Sequence, residues 1–312
     1  LWSDDNHGNL RRVPTEEERT RSGGAGIYYH LDYVGGPRSY KWLNTVPIQK
    51  IWEQMHKAYA YGADRIWILN VGDLKPMEFP MEYFLRMAWN IDRCTKDHFH
   101  GYTLQWVIRQ FGPDHAEEIT DMIERYTHYN GRLKPELINA VQGYSLTDYK
   151  EADSIIAEYC DVTIRAEGLY EQLPDHLKDA FFQLVLYPVK ASSQVLELHI
   201  RAGKSLLYAG QGRVMANVEA RAAELLFVAD AELTFDYNKR LSLGKWDHMM
   251  DQTHIGYTYW NQPPHNIMPV VGHVEEHEGS EMGIAIEGST DVWPGNESLC
   301  QLPEFDVFTQ ER

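Results

Sequence analysis

The hydrophobic period of this chain changes near residue 100, and nothing else in the sequence limits its fold as much. Before that point short β-branched and aromatic runs alternate with helical stretches; after it the 3.6-residue period runs alone to about residue 245. Residues 25–33 follow the turn Ser22-Gly23-Gly24 and read as a strand. Pro47 opens a helix whose face carries Ile48, Ile51, Trp52, Met55 and Tyr59, and Gly62 closes it. Asp64 to Asn70 reads as a short strand of buried type, and a second amphipathic helix begins near Met81. Leu1 and Trp2 read as the end of an earlier strand. Strand, helix and strand at this spacing form a crossover, which predicts a parallel sheet covered by helices, as a barrel or an open sheet.

The later half predicts a helical bundle of up-and-down type. Ala152, Ile155, Ile156, Tyr159, Thr163, Ala166 and Tyr170 mark one stripe, after a capping signal at Ser145-x-x-Asp148. Asp175 to Ala202 is helical in pattern, with Pro188 expected to kink or split it. Residues 214–235 continue the bundle. An aromatic, polar stretch at 246–268 ends at a Pro pair, and the weak alternation at 270–287 reads as the first strands of a β-rich segment.

Composition removes several function classes. With 43% hydrophobic residues in 312, the chain has enough apolar mass for a core, and its longest apolar run, Phe181 to Val189, is too short to span a membrane. A formal net charge of −17 repels nucleic acid and anionic lipid, so neither is expected as a partner. Cys94, Cys160 and Cys300 are too scattered for a disulfide framework or a zinc cluster and read as buried thiols. Nine Trp and nineteen Tyr suit a protein that meets sugar rings, though most belong to a core.

In parallel α/β folds ligands meet the loops after the carboxyl ends of strands. There the chain places Asp4, Asp5 and Asn6, then His30, Asp32 and Tyr33 with Arg38 and Lys41 behind, then Asn70 and Asp73. A glycosidase needs two carboxyl groups flanking one bond, for which Asp5, Asp32 and Asp73 are the candidates here. Read as structure instead, Asp4 or Asp5 caps the following helix, Asp32 braces a loop by a salt bridge to Arg38, and His30 is a hydrogen-bonded core residue. A metal hydrolase is the rival within enzymes, but no HxH or HExxH occurs, and His273 with His277 is the nearest approach, so no metal is expected.

Four segments, WSDDNHGNLRR, GGAGIYYHLDYVGGPRSYKWLNT, NVGDLKPMEFP and KWDHMMDQTHIGYTYWNQPP, resemble glycoside hydrolase family 115, the xylan α-1,2-glucuronidases. The resemblance implies α/β plus all-α architecture: residues 1–98 as the C-terminal part of a TIM-like (β/α)8 barrel, 99–245 as a helical bundle, 246–268 as a boundary loop and 269–312 as the start of a β-rich domain. It implies release of glucuronic acid, or its 4-O-methyl form, from α-1,2 linkages on glucuronoxylan or its oligosaccharides, by inversion and without a cofactor. Asn6, His30, Tyr33 and Asn70 match the family's sugar-binding positions, with Arg38 and Lys41 in support. The family's proposed proton-transfer carboxylates precede the segment matched by Leu1, so this segment alone is expected to be inactive. The family also implies pairing as a homodimer through later domains. Asn296 opens an N-glycosylation acceptor, consistent with secretion. The competing readings are a barrel hydrolase acting on another glycan or an ester, and a non-catalytic helical module for binding or dimerisation.

Overall fold

The computed structural model describes residues 1–139, 143–276, 283–285 and 292–294. Three strands, β1 (Trp2–Ser3), β2 (Gly26–His30) and β3 (Ile66–Asn70), form a parallel sheet in sequential order. Helix α1 (Glu16–Arg19) lies between the first two, α2 (Ile48–Ala60) between the second and third, and α3 (Glu78–Trp89) follows β3. Gly26 is required where it stands, because a Cβ there would lie 2.3 Å from the Ile66 carbonyl oxygen across the ladder.

The sheet buries one face throughout, and on the other face β2 is enclosed while β3 is open. Ile27 and Tyr29 pack with Ile51 and Met55 of α2 and Phe84 of α3, the rings of Tyr29 and Phe84 stacked at 6.3 Å. The strand register aligns Gly26, Tyr28 and His30 with Ile66, Ile68 and Asn70 on the opposite face, where Ile66 is 53% and Ile68 42% exposed. The buried-type reading of β3 is therefore corrected: a run of apolar residues predicts cover on both sides, whereas all described cover of β3 lies on one.

In α2 the buried stripe is Ile48, Ile51, Gln54, Met55 and Ala58. Trp52 and Tyr59 fall on its flank, about 75–95° from the stripe's centre at 100° per residue, and Tyr59 is exposed rather than inward. Gln54, the polar member, uses its Oε1 to accept the Leu10 N–H at 2.8 Å and so ties down the loop after β1.

The helical half contains α4 (Phe99–Phe111), α5 (Ala116–Arg132), α6 (Glu151–Gln172), α7 (Asp175–Phe181), α8 (Tyr187–Gly210) and α9 (Met215–Phe235). Ser145 does not cap α6, whose N-cap position is Lys150; its hydroxyl accepts the Asp148 N–H at 3.0 Å and closes the turn before the helix. The stripe of α6 runs through Ala152, Ile155, Tyr159, Val162, Ala166 and Leu169, with Ile156, Thr163 and Tyr170 half-buried beside it. Between α7 and α8 the backbone widens to a π turn at Phe182–Leu186, just before Pro188. That bulge accommodates the missing proline N–H without breaking the rod.

One hydrophobic core runs without interruption from Ala25 to Ile200, joining the sheet to α4, α5, α6 and α8. A second gathers Trp42 and Leu43, from the connection between β2 and α2, with Tyr187, Tyr237, Met250 and Ile255. No helix among the described residues is long and apolar enough to cross a membrane. Cys94 is buried and Cys160 half-buried, both as free thiols. Strands β4 (Gly283–Ala285) and β5 (Val292–Pro294) pair antiparallel. Asn296, His277 and Cys300 lie outside the described residues.

Candidate functional site

His30, the last residue of β2, is held by a buried carboxylate. Asp4 sits fully enclosed after β1, with Oδ1 2.5 Å from His30 Nδ1 and Oδ2 accepting the His30 backbone N–H at 3.2 Å. Burial raises the Asp4 pKa, opposed by its hydrogen bonds and charge interaction with His30. A carboxylate on Nδ1 fixes the ring's orientation and makes that nitrogen a donor. His30 Nε2 then has no partner among the described residues and is the atom available to a ligand.

Two aromatic rings stand beside His30, and a third packs behind one of them. Tyr28 lies 4.4 Å away between ring centroids and Tyr33 4.9 Å, edge-on. Tyr33 in turn stacks on Tyr40 at 5.7 Å, and its hydroxyl accepts from Arg11 Nη2 at 2.9 Å. Arg11 is itself anchored, its Nε donating to the Asp4 carbonyl at 3.0 Å. Asn70, at the tip of β3, donates from Nδ2 to the Tyr28 hydroxyl at 2.8 Å and accepts the Gly72 N–H at 3.0 Å. His30, Tyr33 and Asn70 thus form one cluster through Tyr28.

Asn6 is placed differently. It is 8% exposed, its side-chain amide meets no partner among the described residues, and it lines a cavity of about 510 Å³ together with Tyr40, whereas His30, Tyr33 and Asn70 do not line that cavity. The four residues named from sequence therefore occupy two adjoining places, linked by the Tyr33–Tyr40 stack.

The carboxylates separate by environment. Asp5 braces its own turn, Oδ1 accepting the His7 and Asn9 N–H groups at 2.9 and 3.0 Å; burial pushes its pKa up, but those donors outweigh it and the net shift is downward. This side chain closes a turn. Asp73 is exposed on the loop after β3. Asp32 is buried with no hydrogen-bond partner among the described residues, and burial lifts its pKa from 3.8 to about 6, with Glu136 and Asp73 adding and Lys41 and His30 opposing. A carboxyl that keeps its proton to about pH 6 suits general-acid work.

The expected salt bridge from Asp32 to Arg38 is absent. Arg38 Nη1 instead donates to the carbonyls of Tyr257 at 2.7 Å and Glu136 at 3.4 Å. Lys41 bonds Gln262 through its ammonium, and Ser39 donates to the Trp260 carbonyl at 2.6 Å. These residues fasten the loop at 35–45 to the aromatic stretch at 253–266, with Lys41 also within electrostatic reach of Asp32.

Sequence reasoning placed Asp4 at a strand end, with capping as its alternative role, but did not pair it with His30, and it passed over Tyr28 and Tyr40. The signal was the residue class: an acid two positions before Asn6, and aromatics on the His30 side of the strand alternation.

Asp32→Asn carries a pH-dependent expectation. With a folded pKa of about 6 against 3.8 unfolded, the native state favours the protonated form, so the contribution of Asp32 is fully present below about pH 4 and is lost as pH rises through 6. The amide removes that loss. The variant should gain on the order of 2 kcal/mol relative to wild type on going from pH 4 to pH 7, read by denaturant unfolding at both. Equal differences at the two pH values would show that this carboxyl is not proton-bound in the fold.

Three comparisons bear on this site. Residues 1–137 match the family described as glycosyl hydrolase family 115, in agreement with the sequence motifs. A solved family GH115 4-O-methyl-α-glucuronidase, with specificity for decorated arabinogalactans, is similar in structure, with a TM-score of 0.71 and 27% identity over 91% of this chain. The chain spans 39% of that protein's length. No curated protein matches it significantly.

Proposed function

From a chain whose residues 1–137 are a segment of glycosyl hydrolase family 115, we propose an α-glucuronidase that removes glucuronic acid or its 4-O-methyl form from α-1,2 linkages on glucuronoxylan, by inversion. The observation that carries this reading is His30, with Asp4 occupying Nδ1 and Nε2 left open beside Tyr33 and Asn70. Such a group binds a sugar hydroxyl or carboxylate through directed hydrogen bonds from a rigid strand tip.

The sheet face left open at β3 supports a barrel interior. Consecutive parallel strands with helices on one side only are what a (β/α)8 barrel shows in part, whereas a doubly wound sheet has helices on both. Inversion needs an acid and a base on opposite sides of the bond. Among the named acids Asp4 is held by His30, Asp5 by its own turn, and Asp73 is exposed on its loop, which leaves Asp32 without a second carboxyl of matching character. Residues 1–312 by themselves are accordingly proposed to be inactive. The protein is proposed to be secreted and to act as a homodimer.

The test is release of 4-O-methylglucuronic acid from aldouronic acids by the enzyme that carries this segment, with Asn70→Ala lowering kcat/KM about tenfold through loss of one hydrogen bond. Clear turnover by residues 1–312 would overturn the inactivity. A second reading has one observation in its favour, the printed specificity of the structural relative. Faster release from decorated arabinogalactan than from glucuronoxylan would establish that substrate instead.

A further inference from the structure

The aromatic stretch at 253–266 carries two rings that neither hydrophobic core takes up. Tyr259 is 55% and Trp260 41% exposed, while Ile255 and Met250 just before them are buried in the second core. Trp89 is the other exposed tryptophan among the described residues, but it lies beside Asp64, Arg65 and Ile66 at the start of β3, the end of the sheet opposite the strand tips. Aromatic surface left open in water forgoes the stabilisation of burial, and where it is grouped it marks a place that meets a ligand or a partner.

A short series of contacts joins Trp260 to the strand tip. Its carbonyl accepts the Ser39 hydroxyl, and the Tyr257 carbonyl accepts Arg38 Nη1, so backbone atoms on this stretch are fixed to the loop after β2. The indole lies against Gly36, where a Cβ would stand 3.9 Å from its Cδ1. Gly35 before it leaves room for the Tyr33 ring, which a Cβ there would approach to 3.0 Å, and Tyr33 packs edge-on against His30. The glycine pair thus lets the backbone pass between the ring at the strand tip and the exposed indole. Both segments are uncharged: no residue from 33 to 37 or from 255 to 264 carries a charge, in a chain with a net charge of −17. Asn261 and Gln262, next to the indole in sequence, are exposed amides.

We propose that Trp260 is a specificity-determining residue, whose indole face stacks on the neutral pyranose to which the glucuronic acid is attached. This rests on the glucuronidase reading, which places the acid at the strand tip and its neighbour one sugar away. The bond to be broken joins an anionic sugar to an uncharged one, and the two call for different surfaces. The acid needs directed hydrogen bonds from a rigid site; the neutral ring offers C–H faces that pack on an aromatic plane and hydroxyls that amides such as Asn261 and Gln262 can meet. Charged side chains under a neutral ring would lose hydration without gaining a partner, a cost that the uncharged stretch avoids. An open surface also suits a polymer that lies across the site. A protein partner is the other way to cover an indole, but two rings supply about 150–250 Å² each, well short of the roughly 1,200 Å² of a stable protein interface.

The test is kinetic, in the enzyme that carries this segment, with an aldouronic oligosaccharide as substrate and free glucuronic acid as competitive inhibitor. Trp260→Ala should raise KM for the oligosaccharide by about tenfold, change kcat by less than about twofold, and leave inhibition by glucuronic acid as in wild type. Trp260→Phe should recover most of the loss. Because the carbonyl of Trp260 and not its ring holds the loop, both variants should unfold at the wild-type temperature. His30→Ala, in contrast, should weaken inhibition by glucuronic acid. An unchanged KM in Trp260→Ala overturns this inference and, with wild type active and His30→Ala impaired, leaves the glucuronidase reading intact. A changed oligomeric state at unchanged KM also overturns it and assigns the indole to a protein surface. Inhibition by glucuronic acid that weakens in step with KM overturns it by placing the ring in the acid's own pocket. No release of glucuronic acid by wild type removes the glucuronidase reading itself, and this inference with it.

Discussion

On the proposed glucuronidase function, replacing His30 with alanine is expected to lower kcat/KM for glucuronic acid release by about 10²–10³-fold in the enzyme that carries this segment, a loss of about 3–4 kcal/mol of transition-state stabilisation. The size follows from what is removed: a hydrogen-bonding group held rigidly at a strand tip, and a ring that packs between Tyr28 and Tyr33. Asp4→Asn tests the same arrangement through its support. An amide in place of the carboxylate retains the volume but removes the charge opposite Nδ1, so the imidazole loses its fixed orientation. The expected loss approaches that of His30→Ala, falls mainly on kcat, and leaves the far-ultraviolet spectrum unchanged. Wild-type kinetics in His30→Ala would end the sugar-binding assignment.

His254→Ala or Asp230→Ala should each destabilise the fold by about 3 kcal/mol, the cost of leaving one member of a buried hydrogen-bonded pair without its partner. His254 Nε2 lies 3.0 Å from both Asp230 oxygens, Nδ1 lies 2.8 Å from the Gln252 carbonyl, and the ring stacks on Trp42 at 3.5 Å, nearly parallel. Both ring nitrogens face acceptors, Nε2 the Asp230 carboxyl and Nδ1 the Gln252 carbonyl. Removing either partner leaves a desolvated group in the second core beside Leu233 and Tyr237. Denaturant unfolding measures this directly, and a loss below about 1 kcal/mol would show that the pair is replaceable.

The elements that could be read from sequence were those governed by local rules. Periodicity located β2, α2, β3 and the long helices, and Pro188 marked the π turn at Phe182–Leu186 because proline's missing N–H is a local fact. The strand-tip residues His30 and Asn70 were legible for the same reason, since a strand's end fixes where its last side chain stands. What escaped was set by residues distant in sequence. Nothing near Asp32 shows that Arg38 turns away to the Tyr257 carbonyl, and nothing near His30 identifies Asp4 as its partner across the sheet. The exposure of Ile66 and Ile68 likewise depends on what lies against the sheet, which an apolar run does not state.

The fastening of the 35–45 loop onto residues 253–266 sets the order in which the molecule can assemble. Arg38 and Tyr257 are 219 positions apart, so this contact must wait until the intervening helices have brought the two ends together, and closing so long a chain segment carries a large entropic cost. Tyr40 sits inside that loop. The wall it shares with Asn6 is therefore among the last parts to acquire hydrogen-exchange protection on refolding, while the amides of α6 and α8 become protected early.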